Sequence, residues 1–172
     1  MTAETYSNKE LKVLLQETAS ALIQLLEKFD DRTINIVPFA GSWTGAQVID
    51  HLTKSNRSIS KALLLKSTAS NREADERVAE LKSVFLNFDT KFKSPDFILP
   101  DNGIFRKEIL NANLAHSFSK LREHAETIDL SDMINHPVFG DITKFEILYF
   151  VVFHTQRHIR QLENIYKITM KK

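Results

Sequence analysis

Apolar residues recur along most of the chain at three- and four-residue spacing, the pattern of helices that bury one face. Leu11, Leu14, Leu15, Leu22, Leu25, Leu26 and Phe29 form the first stripe. Ser7 with Glu10 supplies its start signal, a hydroxyl and a carboxylate placed to satisfy orphaned N–H groups, and the stripe predicts a helix to about Asp30. Thr44 with Gln47 opens a second helix, with Trp43 placed to staple onto Val48 and a stripe through Val48, Leu52, Ile59 and Leu63. Ser70 with Glu73 marks a shorter helix through Val78, Leu81, Val84 and Phe85, ending near Phe88. Residues 89–103, with Pro95, Pro100 and Gly103, read as an extended loop. A fourth helix is predicted from about Ile104 to Thr127, its buried side less regular and supplied by Ile109, Phe118, Leu121, Ala125 and Ile128. The last helix has the clearest start: Thr143 and Glu146 form a capping box, and Ile142 and Ile147 occupy the staple positions after the turn His136-Pro137-Val138-Phe139-Gly140. It should reach about Tyr166.

No alternating stretch is long enough to build a sheet, and no solenoid-period repeat or low-complexity segment interrupts the helices. The expected architecture is an all-α four-helix bundle, one domain over residues 1–172, with one shorter helix in a crossover connection. The long 67–103 connection allows the second and fourth helices to lie parallel. With 42% hydrophobic residues, the chain has material for a sizeable core.

Charge and composition narrow the chemistry. Lys plus Arg (23) nearly balances Asp plus Glu (22), which leaves no basic footprint for nucleic acid. Without cysteine, a metal site must use histidine and carboxylate. The four glycines fit neither a dinucleotide fingerprint nor a phosphate loop, and no nucleophile elbow is present. The longest apolar run, Ile147 to Phe153, is too short to span a bilayer, and the start Met-Thr-Ala-Glu-Thr-Tyr lacks the features of a leader. A cytoplasmic protein without a membrane or nucleic-acid partner is expected.

The placement of two histidines is the most informative feature. With Ile147 at zero, a 100-degree turn per residue puts His154 near ~340 and His158 near ~20 degrees, in the middle of the apolar stripe. Gln156, Arg160 and Glu163 occupy the opposite side, so a solvated face was available and these imidazoles avoid it. Side chains at i and i+4 converge about one turn apart, as in bidentate histidine sites for divalent metals. Six histidines placed at random give such a pair about one time in six, so location on the stripe rather than spacing favours a metal. Buried imidazoles also satisfy themselves by hydrogen bonding to polar neighbours, and that alternative stays open. A third ligand is sought in His51, which flanks the stripe of the second helix near ~300 degrees and reaches a seam between helices there.

Other candidates are weaker. His116 and His124 lie about 80 degrees out of line on the fourth helix. His136 precedes Pro137 and reads as a turn residue with a local hydrogen bond. Asp50 and Glu146 are possible acceptors behind the metal ligands, and Phe39, Trp43, Phe139 and Phe145 are possible pocket walls.

Three segments together resemble the DinB/YfiT-like superfamily: Trp43 to Leu52 (WTGAQVIDHL), His136 to Gly140 (HPVFG) and Phe153 to Leu162 (FHTQRHIRQL). The Lys91 to Pro100 connector, with Ser94-Pro95 and Pro100, is also similar to the family. The resemblance implies a four-helix bundle in which a histidine of the second helix and an H-x-x-x-H pair of the last bind a divalent metal, here His51, His154 and His158. It implies metal-dependent hydrolysis, transfer of low-molecular-weight thiols or thiol-dependent isomerisation, with a small-molecule substrate, and often a homodimer. Three neutral imidazoles leave coordination positions open, so a bound water or thiol would be activated as a nucleophile. Zinc and nickel both suit such ligands. No general base is legible. Two other readings remain: a structural metal without catalysis, and a metal-free helical interaction domain with hydrogen-bonded histidines.

Overall fold

The helix ends follow the capping chemistry of the chain. The structure, a computed structural model, describes residues 6–172; the residues 1–5 on which most of the leader argument rests lie outside it. The long helices are α1 (Asn8–Glu27), α2 (Gly45–Ala62), α4 (Lys107–Thr127) and α5 (Lys144–Thr169), with α3 (Val78–Phe85) a two-turn element in the crossover. Ser7 Oγ accepts from the Glu10 N–H at 3.1 Å, and the reciprocal boxes Thr44–Gln47 and Thr143–Glu146 both form.

Side-chain pairs give the directions. Arg57 meets Asn113 and Ser60 meets His124, so α2 and α4 run parallel. Tyr6 packs edge-on to Tyr149 and Phe29 to Tyr166, so α1 and α5 run parallel too. Glu27, at the end of α1, accepts from Asn111, near the start of α4, which makes that pair antiparallel. Gly45 faces Leu162 while Ser55 faces His154, so α2 and α5 are antiparallel as well. The helices thus form a ring in the order α1–α4–α2–α5 around one core of apolar side chains, among them Leu15, Leu22, Ile49, Leu52, Phe118, Leu121 and Tyr149. Two parallel neighbours require crossovers, and residues 63–106 supply one of them.

The structure departs from the pattern in four places, each for a reason. Met133–His136 (β1) and Gly140–Thr143 (β2) form an antiparallel hairpin, with Ile134 paired to Ile142; four-residue strands are too short for alternation to reveal. Ser70 does not open a helix: its Oγ accepts from the Arg72 N–H in a local turn, because Arg72 is drawn onto Glu146 of α5, and α3 begins only at Val78. Helix α4 begins at Lys107 rather than Ile104. Asn35 holds both backbone groups of Phe105 in an extended conformation, and the Asp31 carboxylate accepts from the Lys107 N–H at 2.7 Å, acting as a cap from another segment. Its buried face is therefore Leu110, Leu114, Phe118, Leu121 and Ala125, leaving Ile109 exposed; Val84 of α3 is exposed too. Helix α5 continues past Tyr166 to Thr169, whose hydroxyl turns back to the Ile165 carbonyl.

The first half of α5, from Phe145 to Thr155, is buried on all sides because α1, α2 and α3 surround it. This accounts for the run Ile147–Phe153; no helix among the described residues is long and apolar enough to cross a membrane.

Gly45 sets how closely α2 approaches α5. A Cβ there would stand 3.0 Å from Ile34 Cδ1 and 3.2 Å from Leu162 Cδ1, both fully buried. Gly45→Ala should therefore lower stability by about 1–2 kcal/mol, against the ordinary gain of alanine in a helix, because neither neighbour has room to yield. Urea unfolding of the variant checks this; an unchanged midpoint would show that the contact is loose.

Candidate metal centre

The antiparallel packing of α2 on α5 carries His51 onto the i,i+4 pair of the last helix. His154 Nε2 stands 3.1 Å from both His51 Nε2 and His158 Nε2. The three nitrogens all lie within 4.8 Å of one another, and the side chains are buried, His51 to 1% exposure. The wheel had placed His51 on the flank of its stripe. It is interior because α2 has two neighbours, α4 and α5, and buries an arc wide enough to include Thr53, Ser55 and Asn56.

The far side of two of the rings fixes the tautomer. The Ile98 carbonyl, which only accepts, lies 2.8 Å from His51 Nδ1, so the proton sits on Nδ1 and Nε2 is a bare lone pair. Gln161 Oε1 holds His158 in the same way at 2.7 Å. Behind His154, Ser55 Oγ stands at 3.5 Å from Nδ1. A proton on His154 Nε2 could serve only one of its two neighbours, so the metal-free set always leaves a buried lone pair facing another nitrogen. That donor set fits a cation. Burial, helped by mutual repulsion, holds the imidazoles neutral: His158 is pushed down to about 3, His154 well below its ordinary value, and His51 is lowered by burial despite the opposing Ile98 carbonyl and Asp50.

The histidines form part of the wall of a cleft of about 840 Å³. Phe150 stacks on His154 with centroids 5.0 Å apart, and Trp43 lies 5.1 Å from the His51 ring. Phe39 and Phe139 line the cleft as the sequence suggested, whereas Phe145 turns into the core against Tyr149. Neither Asp50 nor Glu146 reaches the histidines. Asp50 accepts from the Asp101 N–H and pairs with Lys54; Glu146 binds Arg72 and caps α5. The acceptors behind the histidines are instead Gln161, recognisable in hindsight at i+3 from His158, and a connector carbonyl with no sequence signal at all. His124 is engaged by Ser60, away from the site. His136 accepts the Val138 N–H at 3.1 Å, the turn role expected of it, yet it also lines the cleft.

A sequence profile for the DinB superfamily matches residues 14–162, which include all three histidines. This chain belongs to the DinB superfamily. The uncharacterized protein YuaE of Bacillus subtilis is 24% identical to this chain over 148 residues, covering 81% of this chain and 87% of that protein. Two solved structures share the fold at a TM-score of 0.60 and 18% identity. One is TT2238, a four-helix bundle protein, matched over 92% of this chain and 99% of that one. The other is YfiT from Bacillus subtilis, described as a probable metal-dependent hydrolase with an unusual four-helix bundle topology, matched over 97% of this chain and 91% of that one.

Proposed function

We propose that this DinB-superfamily chain is a metal-dependent enzyme, which holds one zinc or nickel ion on His51, His154 and His158 and activates water or a low-molecular-weight thiol against a small electrophilic substrate. One observation carries the reading: three neutral imidazoles, two with their Nδ1 protons committed to acceptors, aim Nε2 at one point in the wall of an open cleft. The description of YfiT supports the hydrolytic branch.

A bound ion would supply Lewis acidity, making the nucleophile acidic enough to react near neutral pH. The protein's own side chains do the rest. Ile98 and Gln161 hold two rings in register, and Trp43 and Phe150 keep one side of the site apolar. No aspartate or glutamate lines the cleft among the described residues, and His136, which lines it outside the cluster of three, is the group we propose for proton transfer. The Val138 N–H donates to its Nδ1, which places its proton on Nε2. The lack of a carboxylate also favours a second reading, in which the ion only ties α2 to α5.

Elemental mass spectrometry of tag-free protein should find about one zinc or nickel per chain, lost in His154→Ala and His158→Ala. Ester hydrolysis or thiol transfer abolished by chelator and restored by that metal would establish the enzyme. A melting temperature lowered by chelator with no turnover would leave the structural metal, and no ion after reconstitution would sink both. Gln161→Leu should weaken metal affinity about 10–100-fold, because His158 loses the acceptor that orients it; competition with a chromophoric chelator measures this.

A further inference from the structure

The cleft has a charge of its own. Although the chain's 23 basic residues nearly balance its 22 acidic ones, among the described residues four basic ones line the cleft, Lys91, Lys93, Arg157 and Arg160, and no acidic one does. Asp89 and Asp96 lie on the same connector but outside the lining. A chain of nearly zero net charge has thus gathered uncompensated positive charge around one concavity. Arg157 is spent on architecture: its guanidinium donates to the carbonyls of Phe85, Asn87 and Thr90 and lies 4.9 Å from the Phe92 ring centre, tying the connector to α5. Arg160 sits 4.3 Å over Phe88, and it, Lys91 and Lys93 are exposed, with no carboxylate among the described residues bound to any of them.

A ladder of aromatic rings lines the same cleft. Phe92 contacts Phe85 at 5.5 Å between centroids, Phe85 contacts Phe150 at 4.9 Å, and Phe150 stacks on His154 at 5.0 Å. At the mouth, Phe92 and Phe97 are about half exposed, 48% and 55%, a costly placement for phenylalanine unless something covers it.

Resting on the proposed function, we infer that the substrate of this site is a small amphipathic anion. Its carboxylate or phosphate is held at the mouth by Lys91, Lys93 and Arg160, and its aromatic or aliphatic body lies along Phe92, Phe85 and Phe150 with the reacting end beside His154. Charge complementarity selects the head and the ring ladder selects the body. The concave shape, leading inward to the histidines, fits a small molecule better than a flat surface.

The sole tryptophan, Trp43, lines the cleft and reports on its occupant. Its fluorescence would be titrated with 4-phenylbutyrate, 4-phenylbutanol and 4-phenylbutylamine, on metal-loaded and metal-free protein. The anion should bind tightest in both forms. Lys91→Glu/Lys93→Glu should weaken the anion about tenfold, leave the alcohol unchanged and favour the amine, while Lys91→Arg/Lys93→Arg keeps wild-type preference. Circular dichroism melts confirm that the exposed substitutions leave folding intact. Equal affinity for the three probes, or an anion preference that survives charge reversal, overturns the inference. So does sedimentation with phosphatidylglycerol vesicles, abolished by the same reversal, without binding of soluble phenylbutyrate, since the face then docks a membrane. Anion binding by protein that takes up no metal keeps this inference and removes the metal reading; metal uptake without anion preference does the reverse.

Discussion

Glu146→Ala should cost roughly 3–5 kcal/mol of stability, the largest loss expected from a single side chain outside the core. The carboxylate is fully buried and receives four hydrogen bonds: two from Arg72, at 2.5 and 2.8 Å, one from the Arg77 N–H at 2.8 Å and one from the Thr143 N–H at 3.0 Å. Burial alone would raise its pKa; the Arg72 guanidinium and the two backbone N–H groups more than offset this and hold it below the usual carboxylate range. Alanine would remove the carboxylate half of the α5 capping box and leave Arg72, whose side chain is only 17% exposed, with no counter-charge nearer than Glu76 at 3.9 Å. It would also release the 70–77 connector from the start of α5, where Thr143 Oγ1 donates to the Ala74 carbonyl as well. Thermal unfolding should fall by about 10 °C or more. The double variant Glu146→Leu/Arg72→Met should recover much of the loss, since no charge is then left buried. A single variant as stable as wild type would show that the ion pair is water-exposed in solution.

Acid should unfold the metal-free protein in two stages. His51, His154 and His158 have folded pKa values below their ordinary 6.5, His158 near 3. Between those limits the unfolded chain binds protons that the folded chain refuses, so the histidine contribution is complete above about 6.5 and drains away as pH falls toward 3. The loss amounts to several kcal/mol. Glu146, with a depressed pKa, adds a second loss below its ordinary 4.5 for the same reason. Zinc or nickel at about 100 times Kd should add roughly 2.7 kcal/mol at neutral pH, and acid should abolish that gain because protons compete for the same nitrogens. Chemical denaturation between pH 4 and 8 tests both statements. In His154→Gln/His158→Gln the loss between pH 6.5 and 5 should shrink and the metal gain vanish. A wild-type profile flat across that interval would mean that the imidazoles are solvated, and the buried site would not survive the result.

What could be read from the chain was whatever local periodicity encodes. Leu11 to Phe29, and Thr143 with Glu146, announce helices because spacing and capping are properties of consecutive residues. His154 and His158 stood out likewise, since both partners and the apolar stripe that buries them lie on one helix. His51 was already the leading third candidate from its flank position on the wheel, and the resemblance to the DinB/YfiT-like family selected it independently.

Tertiary structure decided the rest. Whether His51 is interior depends on α2 touching two neighbours at once, and the Ile98 carbonyl that fixes its tautomer is backbone from a connector 47 residues away. Ser70 lost its helix, and α4 its first turn, because Arg72 and Phe105 found partners on distant segments. Glu146 was legible as a cap but not as the fully buried partner of Arg72, for a cap needs three residues and an ion pair across 74 needs the fold. The cationic cleft is the extreme case: a near-neutral sequence gives no sign of it, because only packing brings Arg160 to the same cleft as Lys91 and Lys93 and leaves the described carboxylates outside its lining.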